Sequence, residues 1–175
     1  MSAKSQILEW GPFARTRRNH ALEHATLQVL AEKTPHLRMA GYSDPRGFWL
    51  LGEAETADIE WAAQQALERL NNGEASLAVH PNCGTNLVTT GFLAGGLAWL
   101  GMLGAGRSGR DSGRDRFERL PFIITLVTLG ILAAQPLGPY LQAHVTTDAA
   151  TQGMEILSIE RSMRGDVPLH RVLTH

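Results

Sequence analysis

Charge is what this chain lacks over two long stretches. No Asp, Glu, Lys or Arg occurs from Ala75 to Gly106, and none from Leu120 to Thr147. Gaps of that length match the roughly 20 residues a helix needs to cross a bilayer. Cysteine is scarce as well: Cys83 stands alone, which excludes an internal disulfide framework and leaves the redox compartment open. There is no excess of positive charge, since 16 Lys and Arg meet 17 Asp and Glu for a net charge of −1. That balance argues against nucleic-acid binding, which depends on neutralising phosphates. No signal peptide is legible, because the first ten residues offer only Ile7, Leu8 and Trp10 as large apolar groups, with Glu9 among them. Internal repeats and low-complexity tracts are absent too.

What is present reads as a small soluble part interrupted by an apolar one. Ile7, Leu8, Trp10 and Phe13, followed by Arg15, Arg17 and Arg18, suit either a segment at a membrane interface or a plain chain terminus. A helix is predicted from Arg15 to Lys33, ending before Pro35, with apolar residues on two sides so that both are packed. His36 to Gly52 reads as two strands around Ser43-Asp44-Pro45-Arg46-Gly47, whose Asp, Pro and Gly are type I turn residues. Asp44 is therefore turn chemistry. Ile59, Ala62, Ala63, Ala66, Leu67 and Leu70 recur at helical spacing, with Thr56 as cap and Gly73 past the end. A brief strand is expected at Ser76 to His80.

Two apolar spans follow, Leu87 to Ala105 and Leu120 to about Tyr140, joined by a loop with five arginines and three acids. Gly91 and Gly95 in the first span form a small-xxx-small pattern that suits close approach of a partner helix or a second copy of the chain. The tail alternates as two strands around Met163-Arg164-Gly165-Asp166 and is expected to join the earlier hairpin. The expected architecture is thus α+β: a composite domain from residues 1–86 and 144–175, interrupted by a transmembrane helical hairpin at 87–143 with its polar loop at 106–119. Both termini then lie on one side of a membrane, expected to be the bacterial cytoplasmic membrane. The arginine count puts the loop in the cytoplasm, whereas the missing leader argues against exporting the folded part, so the two rules give opposite sides.

The chemistry centres on Asn19-His20-Ala21-Leu22-Glu23-His24. Histidines four apart on a helix project from one face, and Glu23 falls toward the apolar side, where a carboxylate must be hydrogen-bonded, neutralised or set beside a metal. His80 and Cys83 lie in His80-Pro81-Asn82-Cys83-Gly84, where Pro81 holds His80 extended and Gly84 permits a tight turn. Asp148 emerges after the second span on the same side. Two histidines with one of His80, Cys83 or Asp148 give zinc three protein ligands and an open position, the catalytic form; both His80 and Cys83 together close the shell into a structural site. A plainer reading stays open: the imidazoles hydrogen-bond Glu23, Asn19 or the backbone in a polar seam, and Cys83 is a small buried hydrophobe. His36, His144, His170 and His175 carry no such pattern.

His20-x-x-Glu23-His24 resembles the inverted zincin motif of pitrilysin-type metallopeptidases. The resemblance implies that His20 and His24 bind zinc and that Glu23 is the general base of a peptidase. Those enzymes add a distant glutamate as third ligand, and here the corresponding distance falls inside an uncharged span. The wider run, with Ser-Asp-Pro-Arg-Gly-Phe-Trp-Leu at 43–50 and His-Pro-Asn-Cys-Gly-Thr-Asn at 80–86, resembles an uncharacterised family of small bacterial membrane proteins classed as a domain of unknown function. The expected function is a membrane-anchored zinc-dependent hydrolase, with a non-enzymatic membrane subunit as the alternative.

Overall fold

The computed structural model describes residue 9, residues 11–103 and residues 117–175. The interfacial run at Ile7, Leu8 and Trp10 and most of the arginine loop lie outside the described residues. The chain divides into two compact units, residues 1–80 with 142–175 and residues 81–141.

In the first unit, α1 spans Gly11–Lys33. Strands β1 (Ala40–Asp44) and β2 (Gly47–Leu51) form the expected hairpin. Asp44 makes its turn as anticipated, its Oδ1 accepting the Arg46 N–H at 2.7 Å. Helix α2 covers Thr56–Asn71. After the second unit, β3 (Ile156–Arg164) and β4 (Val167–Thr174) complete an antiparallel sheet in the order β1-β2-β4-β3. β4 pairs with β2, Phe48 opposite Val172 and Leu50 opposite His170, so the last strand lies inside the sheet.

The helices cover one face of this sheet. Ala21, Leu22, Ala25, Val29 and Leu30 of α1 pack with Ile59, Ala62, Ala66 and Leu70 of α2 over Phe48, Leu50 and Val172. These residues are essentially inaccessible. Alternation along β2 and β4 puts the residues on the other pleat outward, and the fold is α+β in two layers. α1 is buried on nearly every side, for Asn19, Glu23, His24 and Thr26 are as enclosed as its alanines and leucines.

Two local expectations fail. Ser76 to His80 is not a strand; Ala75–Ala78 is a turn of 3₁₀ helix. The carbonyls that would enter a sheet ladder are taken by α1 instead, Leu77 and Val79 by Gln28 and Ala78 by His24. Nor does Thr56 cap α2. Glu55 holds that position without a side-chain cap, and Thr56 Oγ1 lies 3.2 Å from His170 Nε2.

His170 has no exposed surface, and its Nδ1 has no hydrogen-bond partner. Burial, helped by the Arg161 charge and opposed by Glu55, pushes its pKa below the ordinary histidine value. The unfolded chain therefore binds this proton more readily. Stability is present above about pH 6.5 and declines as pH falls from there toward the lower folded pKa. Thermal melts between pH 7.5 and 5 should show that loss, and His170→Gln should make the slope shallower; an unchanged slope refutes the assignment.

In the second unit, α3 (Gly84–Met102) and α4 (Leu120–Leu141) run antiparallel in contact. A methyl on Gly130 would fall 3.0 Å from the Leu93 carbonyl oxygen, and one on Gly101 would meet Leu126 and Ile123 at 3.1 to 3.2 Å. Small residues thus bring the backbones together. The expectation of two spans is corrected. Among the described residues only Leu120–Thr146, α4 with the wider π turn Gln142–Thr146, is long and apolar enough to cross a membrane. α3 lacks charge but is diluted by Thr85, Asn86, Thr89, Thr90 and its glycines.

Candidate functional site

The site grows from the polar stripe of α1. Arg17 Nε and Nη2 donate to the Val145 and Thr147 carbonyls at 2.7 and 2.9 Å, gripping the chain where it re-enters the first unit. One turn on, His20 Nδ1 lies 3.0 Å from the Thr146 carbonyl oxygen. His24 Nδ1 lies 2.8 Å from that of Ala78. Carbonyl oxygens only accept, so both Nδ1 atoms carry hydrogen, and in the neutral rings Nε2 is the lone-pair nitrogen. Backbone carbonyls holding Nδ1–H are the outer support that metal-binding histidines use.

His80 completes a three-imidazole group in this unit. Its backbone N–H donates to Gln142 Oε1 at 2.9 Å, Gln142 being fully buried. The rings of His20 and His24 have centroids 4.2 Å apart in an edge contact, and those of His24 and His80 lie 5.6 Å apart. Ring nitrogens of His20 and His24 approach within 4.8 Å. Two imidazoles on one tetrahedral zinc, with Zn–N bonds of about 2.0 to 2.1 Å, have centroids roughly 5 Å apart. Imidazole is a donor that zinc takes, and the His20 and His24 nitrogens stand near enough to one another to be candidates for one ion.

Glu23 turns from the same helix toward β1. Its Oε2 accepts the Ser43 hydroxyl at 2.5 Å, and only 4 % of the residue is exposed. Gly41, on the same pleat, leaves the space Glu23 occupies: a methyl there would fall against Oε1 and 2.5 Å from Cδ. Ser43 and Gly41 escaped the sequence reading, although their i, i+2 spacing on a strand facing α1 was a usable signal.

The remaining candidates are placed differently. Asp148 faces Arg17 and Arg18, its Oδ2 3.8 Å from each guanidinium, and its Oδ1 accepts the Ala150 N–H. It serves the re-entry turn. Cys83 belongs to the second unit and is buried, its Sγ accepting the Thr85 N–H at 3.4 Å as the cap of α3. Asn86 donates to the Pro81 carbonyl at 2.7 Å. Asp44 pairs with Arg171 at 2.8 Å; burial raises its pKa, but hydrogen bonds from Arg171 and the Arg46 N–H hold it below the usual value.

Comparison with known proteins shows the family to which the sequence belongs. A profile described as a domain of unknown function, DUF6391, matches residues 15–159, which include the histidine helix, the His80 loop and both apolar helices. The chain belongs to the DUF6391 family. A DUF6391 chain of this kind is similar to an uncharacterized protein of Picosynechococcus sp. (strain ATCC 27264 / PCC 7002 / PR-6), with 37 % identity over 144 residues, covering 75 % of this chain. This DUF6391 chain spans 65 % of that relative's length. No solved structure matches it.

Proposed function

We propose that this chain is a membrane-anchored, zinc-dependent hydrolase of the peptidase kind, with His20, His24 and His80 as ligands. The observation that carries the reading is the orientation of the imidazoles: two Nδ1 atoms are tied to backbone carbonyls, with a third ring alongside. A zinc ion held there supplies Lewis-acid polarisation of a substrate carbonyl. The carbonyls of Thr146 and Ala78 fix the ring tautomers. Glu23, one oxygen held by Ser43, takes the proton that hydrolysis releases, which is the role the His-x-x-Glu-His resemblance implies.

The anchor in this reading is Leu120–Thr146. Only 11 % of its apolar window is buried inside the protein, which leaves that surface to lipid. On α3 the face of Gly91 and Gly95, with nothing within 4 Å of an added methyl, is left for a partner helix or a second copy.

A second reading has support in the burial of His24 and Glu23 at 2 % and 4 % exposed: a non-enzymatic membrane subunit whose histidine, glutamate and cysteine cluster is structural. Glu23→Gln separates the two. The hydrolase should keep its zinc and lose at least about a hundredfold in turnover of peptide substrates in detergent micelles. Unchanged turnover in Glu23→Gln overturns the enzyme reading.

A further inference from the structure

A cleft of about 220 Å³ in the first unit is lined by Arg15, Arg18, Asn19, Thr174 and His175, with Pro45 and Met154 among its walls. The histidine cluster takes no part in it. Its ionisable side chains are all basic, and no Asp or Glu lines it. Arg15 and Arg18 are three apart on α1, so they stand one above the other on one face. Among the described residues Arg15 meets no carboxylate within ion-pair distance, and Arg18 has only the 3.8 Å approach to Asp148. Asn19 is built in firmly beneath them: it is 1 % exposed, accepts from Thr174 Oγ1 at 2.6 Å and donates to the Asp44 carbonyl at 2.8 Å.

We infer that this cleft is a phosphate-binding site, recognising either the headgroup phosphate of an anionic lipid or free phosphate through the paired guanidinium groups of Arg15 and Arg18. Guanidinium presents planar paired donors that match phosphate oxygens, and charge-assisted hydrogen bonds of this kind are the strong ones. An anion in the cleft would lie between Arg15, which has no ion-pair partner among the described residues, and Arg18, whose one partner is Asp148 at 3.8 Å. Connectivity favours the lipid. The apolar segment ends at Thr146, and two residues later Asp148 meets Arg18 at the cleft's edge. A phosphate there sits where the chain leaves its candidate span, and this preference alone rests on the membrane reading.

Full-length protein in a zwitterionic detergent is titrated with short-chain phosphatidylglycerol, short-chain phosphatidylcholine and inorganic phosphate, with binding followed by calorimetry and thermal shift. Phosphatidylglycerol should bind at least about tenfold more tightly than phosphatidylcholine, weaken as salt rises, and lose about tenfold or more in affinity in Arg15→Gln and in Arg18→Gln. Arg15→Gln has no ion pair to disrupt, so its melting temperature without ligand should be unchanged. Inorganic phosphate binding with the same arginine dependence and no preference for phosphatidylglycerol supports the site with a soluble ligand. Equal binding of both lipids without phosphate binding, or binding that survives both substitutions, overturns it.

Discussion

Gly41→Ala should destabilise the protein by about 3 kcal/mol, the sum of overpacking and a displaced buried hydrogen bond. The new methyl would occupy the place of the Glu23 carboxylate, against Oε1 and within 2.8 Å of Cγ. A flexible surface glutamate would swing away at little cost. Glu23 is 4 % exposed and bonded to Ser43, so it can move only by leaving its partner while still out of water. For a chain of this size the loss amounts to roughly 6 to 12 °C in melting temperature. The control is a double-mutant cycle: in a Glu23→Ala background, where the space is vacant, Gly41→Ala should cost little. Additive effects of the two substitutions would show that Glu23 does not fill the space beside Gly41.

This cycle also marks the limit of what the sequence alone reveals. Two histidines four apart were legible because helical period fixes their common face whatever surrounds the helix. The contribution of Ser43 and Gly41 was not, because it depends on which strand α1 covers. The hairpins around Asp44 and Gly165 were legible from turn chemistry, and so was α2 from its run of alanines and leucines. α1 conceals its burial in the sequence, since Arg17, Asn19, His20, His24 and Gln28 point inward yet are polar, each meeting a backbone carbonyl. Those bonds also explain the misread strand at 76–80, whose apolar residues suggested a ladder that α1 side chains replace. α3 misled in a different way: absence of charge is not the same as hydrophobicity. Thr89 and Thr90 satisfy their hydroxyls on the Thr85 and Asn86 carbonyls at 2.7 and 2.8 Å, and they lower the apolar character of the helix all the same.

Zinc should bind at about one ion per chain, and its removal is the other large effect. The rings of His20 and His80 both lie beside that of His24, which is 2 % exposed, so a bound ion and the folded state would be linked. At free zinc a thousandfold above Kd the linkage contributes about 4 kcal/mol, which a strong chelator would abolish. Because imidazole must be deprotonated to bind, zinc affinity should also weaken as pH falls. His24→Ala removes a ligand and the bond to the Ala78 carbonyl together, so its stability loss alone proves nothing about metal. His80→Ala is the cleaner probe, because the bond from its backbone N–H to Gln142 survives the substitution.

The most direct measurement is therefore metal content by mass spectrometry of the purified full-length protein, wild type beside His20→Ala, His24→Ala and His80→Ala, with melting curves before and after chelation. Near-stoichiometric zinc is expected in the wild type, little in any variant, and a melting temperature that chelator lowers only in the wild type. A wild-type protein that binds no zinc when zinc is supplied, and melts identically with and without chelator, would show that the histidines hold no metal.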